Sequence, residues 1–383
     1  MSRDQLRAAV IGVGFIGAVH ARAIRLAGAR LWGVGARSDA TGRALASALG
    51  AERVYTDPEE LAADDAVDVV HVCTPNALHH PFAMAALEAG KHVVCEKPLG
   101  VDLAEALELR DRAREVGVLA AVPFVYRFYP MVAELRARVE RGLLGELRIA
   151  HGSYLQDWLA DATIENWRRD PALGGESRAM ADIGAHWCDL VEFITGDEIE
   201  RVSATLIYET GARMHDHRAT GASTEDGAIV QFTTARGLAG TALVSQVSRG
   251  HKNHLMIELD GTLASAAFDQ EHPDVLEFND KAGSHVLHRG SACMSEPARA
   301  LSLLPPGHPQ GFNDAFSLFV AEVYDAIRNP SLPGLRATGL PTFDDGARAA
   351  AIVDAVLESA RSQQWATVGD TQPLSTLRQL ESS

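Results

Sequence analysis

Four short stretches of the chain carry residue types that do chemistry. Gly12-Val13-Gly14-Phe15-Ile16-Gly17 follows the apolar run starting at Ala8 and opens a helix-like segment, Ile16 to Ala27. In a G-x-G-x-x-G turn the first glycine permits the bend, the second removes a side chain where phosphate must sit, and the third lets helix and strand pack. The first helical amides then face the anion. Gly12, Gly14, Phe15, Ile16 and Gly17 are therefore read as holding a dinucleotide. Where an acid usually binds the ribose hydroxyls, about 20 residues on, the chain has Ala36-Arg37-Ser38. A guanidinium and a hydroxyl there favour a 2′-phosphate. The same residues serve an NAD enzyme if Arg37 stacks on adenine and Asp39 takes the ribose. The cofactor is thus read as NAD or NADP.

Glu96-Lys97-Pro98 ends the strand-like run His92–Glu96. An ammonium there stands beside the nicotinamide end of such a cofactor, and its charge favours the alkoxide-like oxygen that develops when a hydroxyl is oxidised or a ketone reduced. A strand-end lysine paired with Glu96 has the same sequence. In Met180-Ala181-Asp182-Ile183-Gly184-Ala185-His186 the acid and the imidazole stand four apart. On a helix they share a face and make an acid/base pair, the carboxylate raising the imidazole pKa. A capping Asp and a satisfied core His give the same spacing. No H-E-x-x-H or third ligand at defined spacing accompanies them, so no metal is assigned.

These groups need elements to hold them. Apolar runs at Ala8–Val13, Leu31–Ala36, Val67–Thr74, His92–Glu96 and Val118–Val122 alternate with helix-like segments, the pattern of βαβ units and a parallel sheet. VVHVCTP and HVVCEKP both end in proline, at what should be the carboxyl edge where ligands of open α/β sheets bind. After Pro123 the pattern changes. A helix is expected from Pro130 to Arg141, a strand at Leu147–Tyr154 and a helix near Ala179–Ile194; VSATLIY, AIVQF, AGTALVSQV, LMIELD and VLEF then read as antiparallel strands. Helical spacing returns at Phe312–Arg328 and Asp344–Ser362. The fold class is α/β: a doubly wound parallel sheet in residues 1–122 and a second α/β domain with a mainly antiparallel sheet in residues 123–383. The polar stretch Gly211–Asp226 and the Pro/Gly-rich stretch Leu304–Gly311 are expected to be mobile or to cover ligand.

Of 383 residues, 35 are basic and 51 acidic, a net charge of −16. General repulsion argues against nucleic acid and anionic membrane as partners. No run of about 18 apolar residues and no signal-peptide core is present, which predicts a cytoplasmic protein. Cys73, Cys95, Cys188 and Cys293 show no C-x-x-C spacing, so reduced thiols are expected.

With the glycine turn, E-K-P and D-x-G-x-H in that order, the chain resembles the Gfo/Idh/MocA oxidoreductases, the family of glucose–fructose oxidoreductase and inositol dehydrogenase. Thr74-Pro75-Asn76 with His79, Gly174-Gly175, Gly339-Leu340-Pro341 and Asp345-Gly346 extend the likeness over nearly the whole chain. The resemblance implies a Rossmann domain followed by a domain with a large antiparallel sheet, whose open face commonly forms an oligomer interface, here in a homodimer or homotetramer. It makes Lys97 the catalytic lysine, Asp182 the substrate-binding acid and His186 the proton donor or acceptor. Thr74, Pro75, Asn76, His79 and Glu96 match cofactor-lining positions, Arg127 a position near the domain junction, and Trp167-Arg168 a segment that reaches cofactor or substrate. Tyr126, Gln156, Trp158, His254 and His308 are expected to set substrate choice, without a decipherable pattern. Ala36 departs from the acid common in NAD-preferring members. The implied activity is hydride transfer between nicotinamide and a ring hydroxyl of a sugar or cyclic polyol. An NAD-dependent glycosidase acting by transient oxidation and elimination, and a non-catalytic dinucleotide-binding regulator, are the alternatives.

Overall fold

The computed structural model describes residues 5–12, 14–161, 163–208, 224–329, 339–369 and 371. Short apolar runs form β1 (Arg7–Ile11), β2 (Arg30–Gly35), β3 (Arg53–Tyr55), β4 (Val69–Val72), β5 (His92–Cys95) and β6 (Ala120–Ala121). They pair parallel in the order β3-β2-β1-β4-β5-β6. Helices α1 (Phe15–Leu26), α2 (Asp39–Leu49), α3 (Pro58–Ala63), α4 (His79–Glu88) and α5 (Leu103–Val116) connect them. All four residues of β4 are buried, as expected for a central strand covered on both faces. β3 is not among the runs read from the sequence, because three residues are too few to show a pattern. Local chemistry sets the helix ends: α5 starts where the Asp102 carboxylate accepts the Glu105 N–H at 2.9 Å and stops at Gly117, whose φ of 69° is left-handed. In this doubly wound order the chain reverses direction between β1 and β4. The glycine turn, Thr74-Pro75 and Glu96-Lys97 therefore open on one edge.

The second sheet contains, among the described residues, β7 (Leu147–Leu155), β8 (Ile199–Ile207), β9 (Gly227–Thr234), β10 (Ala239–Ser245), β11 (His254–Gly261), β12 (Ala264–Asp269), β13 (Val275–Asp280), β14 (Gly283–His288) and β15 (Ala366–Thr367). Their order is β14-β13-β12-β11-β7-β10-β9-β8-β15. The pairing is antiparallel except between β7 and β10. The sheet is thus mainly antiparallel, as the sequence led one to expect. β7 reaches the later strands through a long crossover carrying α7 (Pro171–Gly174) and α8 (Ala185–Thr195), so no hairpin fixes its direction.

One face of this sheet packs against α6 (Pro130–Glu140), α8 and α11 (Phe343–Ser362), burying Ala150, Tyr154, Leu255, Ile257 and Leu259. Ile149, Ile229 and Leu243 alternate onto the other face and are exposed. α9 (Glu296–Ala300) lies against α6, and α10 (Phe312–Arg328) against α1. The chain then returns to the first sheet, where the Val122 N–H reaches the Pro341 carbonyl at 3.2 Å and Ala121 bridges Thr342. No helix among the described residues is long and apolar enough to cross a membrane.

Two sequence readings change here, and a third falls mostly outside the described residues. The segment holding Asp182 is a π-turn, Met180–Gly184, leading into α8. Hydrophobic spacing does not separate this from a regular first turn. The stretch Leu304–Gly311 is pinned: Arg289 donates to the Leu304 and His308 carbonyls, both at 2.6 Å, and Gln310 clasps Leu301 and Leu303. Of the other loop, residues 209–223 lie outside the described residues, while Thr224, Glu225 and Asp226 are buried.

Arg127 is buried among carboxylates. Its guanidinium donates to Asp189 at 2.9 Å, to Asp345 at 2.7 Å and to the Gly339 carbonyl at 2.9 Å. It clips α8 to the start of α11 and does not line the cleft described below. Removing one partner of a buried ion pair strands the others in low dielectric, a cost of about 3–5 kcal/mol. Denaturant unfolding of Arg127→Ala should show a loss of that size.

Candidate active site

A cleft of about 780 Å³ lies along the carboxyl edge of the parallel sheet and against the second sheet. Of the residues named from the sequence, Gly12, Gly14, Phe15, Ile16, Thr74, Pro75, Asn76, His79, Glu96, Lys97, Tyr126, Gln156, Trp158, Trp167, Arg168, Asp182 and His186 line it. Gly17, Ala36, Arg37, Ser38, Arg127, His254 and His308 do not. Gly17 packs against the Gly12 carbonyl, where a methyl group would collide. His308 is exposed. The Ser38 hydroxyl caps α2 by accepting the Thr41 N–H at 3.3 Å. Asp39 pairs with Arg43, while Arg37 is exposed and has no ion pair among the described residues.

The residues at the glycine turn fit a dinucleotide. Gly12 has φ +86°, and a Cβ there would stand 2.5 Å from the Cys73 carbonyl oxygen; around Gly14 a Cβ would meet nothing within 4 Å. No side chain caps the N-terminus of α1, so its first amides face open space. The Thr74 hydroxyl in the cleft wall is buried with no hydrogen-bond partner among the described residues. His79 holds this edge together, its ring nitrogens 2.7 Å from the Pro98 carbonyl and 2.9 Å from the Thr74 carbonyl. Asn76 joins it to the second half of the chain through the Gly174 carbonyl at 2.8 Å.

Deeper in the cleft, Lys97 from the end of β5 meets Asp182 from the π-turn. Lys97 Nζ donates to Asp182 Oδ1 at 2.6 Å and to the Asp182 main-chain oxygen at 2.7 Å. An ammonium has three donors, so one remains for the cleft. Gln246 Nε2 donates to Asp182 Oδ2 at 2.7 Å, and Arg168 Nε stands 3.4 Å from that oxygen. Burial raises the Asp182 carboxyl, but the Lys97 and Arg168 charges outweigh it and hold it below the usual carboxylate range.

His186 stands between the Phe124, Tyr126 and Tyr154 rings, with Nδ1 unpartnered among the described residues. Asp182 pulls its pKa upward, as the spacing implied, but other contributions outweigh it. Burial first, and the Lys97 charge second, lower it to about 3. The imidazole is neutral at pH 7.

Tyr154 and Asn253, which the sequence reading did not single out, complete the wall beside Tyr126, Gln156 and Trp158, which it did. The Tyr126 and Tyr154 hydroxyls lie 2.6 Å apart, Tyr154 donates to Asn253 Oδ1 at 2.8 Å, and Gln156 Nε2 reaches the same oxygen at 2.7 Å. Trp158 Nε1 donates to Gln156 Oε1 at 2.7 Å. Glu225 accepts the Arg178 N–H at 3.0 Å and the Met180 N–H at 2.9 Å, fixing the start of the turn that carries Asp182. Gln246, Asn253 and Glu225 reach the site through strand register, which leaves no local motif.

Comparison with known proteins agrees with this geometry. Residues 6–124 match the oxidoreductase family, NAD-binding Rossmann fold model, and residues 132–267 match the GFO/IDH/MocA C-terminal domain. Levoglucosan dehydrogenase of Pseudarthrobacter phenanthrenivorans is 28% identical over 95% of this chain and 98% of its own length. A solved oxidoreductase domain protein from Kribbella flavida superposes with a TM-score of 0.85 at 33% identity, covering 96% of this chain and all of that one. An inositol dehydrogenase homologue from Azotobacter vinelandii, solved with NADH and myo-inositol, gives 0.83 at 28% identity, covering 95% of this chain and 97% of that one. The chain belongs to the GFO/IDH/MocA family. It is an oxidoreductase with an NAD-binding Rossmann domain.

The His186 environment has a measurable consequence. Its folded pKa of about 3 lies below the unfolded value of 6.5, so the unfolded chain binds more protons between those values. The stability contributed is full above pH 6.5 and is lost as pH falls toward 3, by about 1.4 kcal/mol per pH unit. Between pH 6.5 and 5 the unaltered protein should lose about 2 kcal/mol more than His186→Gln in denaturant titrations; equal losses would refute a neutral buried His186.

Proposed function

We propose that the chain moves hydride between a nicotinamide dinucleotide and a ring hydroxyl or ketone of a sugar, sugar derivative or cyclic polyol. The observation that carries this reading is the meeting of Lys97, from the end of β5, with Asp182 and a neutral His186, from the π-turn and α8, in one cleft. The nicotinamide ring, when bound there, supplies the hydride acceptor or donor. In the oxidising direction His186 takes the hydroxyl proton on a ring nitrogen, which a neutral imidazole is ready to do. The remaining N–H of Lys97 donates to the same oxygen as negative charge develops on it. Asp182 orients Lys97, and Gln246 and Arg168 hold Asp182. Tyr126, Tyr154, Gln156 and Asn253 present alternating donors and acceptors, the recognition a polyhydroxylated ring needs.

The relatives support the substrate class. They include proteins named levoglucosan dehydrogenase, myo-inositol 2-dehydrogenase and D-glucoside 3-dehydrogenase. Within the same reading the exposed Ile149, Ile229 and Leu243 face a second copy of the chain, and the protein works in the cytoplasm.

Two experiments test this. Lys97→Ala and His186→Ala should each lower turnover by about 10² or more while dinucleotide binding persists, followed at the nicotinamide absorbance band with a panel of cyclic polyols and monosaccharides. Near-normal rates in both would exclude the assignment. Arg37→Asp should weaken NADP more than NAD in binding titrations, since Arg37 stands free at the end of β2 where a 2′-phosphate would lie; equal change in both affinities means that Arg37 reads no phosphate.

A further inference from the structure

Behind the cleft wall lies a chain of buried polar groups that the reaction above does not use. Tyr324 on α10 has its hydroxyl 2.8 Å from His71 Nε2, on β4. His71 Nδ1 is 2.8 Å from His20 Nδ1, on α1. His20 Nε2 is 3.1 Å from Glu96 Oε1, and Glu96 Oε2 accepts the Lys97 main-chain N–H at 3.2 Å. His20, His71 and Tyr324 are 0% exposed, and only Glu96 touches the cleft.

With both imidazoles neutral, hydrogen-bond bookkeeping leaves two orders for this chain. Two neutral imidazoles joined Nδ1 to Nδ1 need one donor and one acceptor, and each ring then has the opposite role at Nε2. If Tyr324 donates to His71, then His71 donates from Nδ1 to His20 and His20 donates from Nε2 to Glu96, which is a carboxylate. The reverse order needs Glu96 as a neutral acid donating to His20. The first order fits the surroundings. Glu96 already accepts an N–H on its other oxygen. Burial raises its carboxyl, but the His20 hydrogen bond and nearby charges, Lys97 among them, outweigh that and hold it below the ordinary value. Burial, reinforced by His20, pushes His71 well below the ordinary imidazole value, so that ring stays neutral.

The near partner of the charge so held is His20 Nε2, 3.1 Å away, which cancels it only if that ring carries a second proton. Lys97 Nζ is committed to Asp182, and no Lys or Arg among the described residues forms an ion pair with Glu96. We infer that Tyr324, His71 and His20 form a one-way relay of donors that keeps Glu96 a carboxylate in the cleft wall beside Lys97, and that this charge makes the site prefer the oxidised cofactor. The oxidised nicotinamide ring carries a positive charge and the reduced ring none, so a fixed carboxylate acts on the difference between them. The inference rests on the reading that the nicotinamide lies beside Lys97. In it Tyr324, His71 and His20 are positioning residues, and the group they act through is Glu96.

Two equilibrium measurements on the full chain, without substrate, test it. Nitrogen-15 NMR of the unaltered protein should find His71 protonated on Nδ1 alone and His20 on Nε2 alone; the opposite pair of tautomers, or a His20 protonated on both nitrogens, overturns the relay. In calorimetric titrations with NAD⁺ and NADH, Glu96→Gln, which keeps the shape and removes the charge, should raise the NAD⁺ dissociation constant about tenfold relative to that of NADH. Equal changes in the two constants overturn the preference. Neither readout depends on turnover, so their failure would leave the hydride-transfer reading intact. Full turnover in Lys97→Ala and His186→Ala would count against that reading and leave these results standing.

Discussion

The ion pair between Lys97 and Asp182 is the contact on which the site depends. Each partner is unremarkable within its own segment: one ends a parallel strand, the other sits in a π-turn ahead of a helix. Together they join the two sheets across the cleft, with both side chains 14% exposed. A pair so far from water is costly to leave unmatched, and here Gln246, Arg168 and a main-chain carbonyl share the burden of matching it. The same ammonium field helps keep His186 neutral. One interaction thus sets the geometry of the lysine, the charge of the acid and the protonation of the imidazole.

Much of this was legible in the sequence where chemistry is local. Gly12 and Gly17 announce themselves because backbone conformation and close approach admit no substitute there, and Gly14 because its missing side chain leaves open space at the helix start. The parallel strands are visible as unbroken apolar runs because both of their faces are buried. Lys97, Asp182 and His186 lie in compact motifs, and the structure brings all three to one cleft. The limits are equally physical. Arg127 sits in a recognisable motif, yet its carboxylate partners, Asp189 and Asp345, are 62 and 218 residues away in the chain, so no spacing rule foretells that it is an internal clip. Asn253 reaches the tyrosines through pairing of β11 with β7, and Gln246 reaches Asp182 from beyond the end of β10. The sign of the His186 shift depended on how deeply the ring is buried, which neighbouring letters do not encode.

The wall of tyrosines and carboxamides also shows how a site is kept polar inside an apolar body. Tyr126 and Tyr154 spend their hydroxyls on one another and on Asn253, so neither is left unsatisfied. The Tyr126 ring meanwhile meets His186 edge-on, and the Tyr154 ring lies tilted beside it. The arrangement combines desolvation of the imidazole with a hydrogen-bonding surface a few ångströms away. A purely apolar wall would give the first without the second.

The return of the chain near Pro341 bears on how the two halves are joined. The backbone leaves the first sheet after β6, and it comes back beside the same strand, where Val122 and Ala121 meet Pro341 and Thr342. With both crossings side by side at one edge, the two halves of the molecule are joined there by paired backbone as well as by covalent linkage.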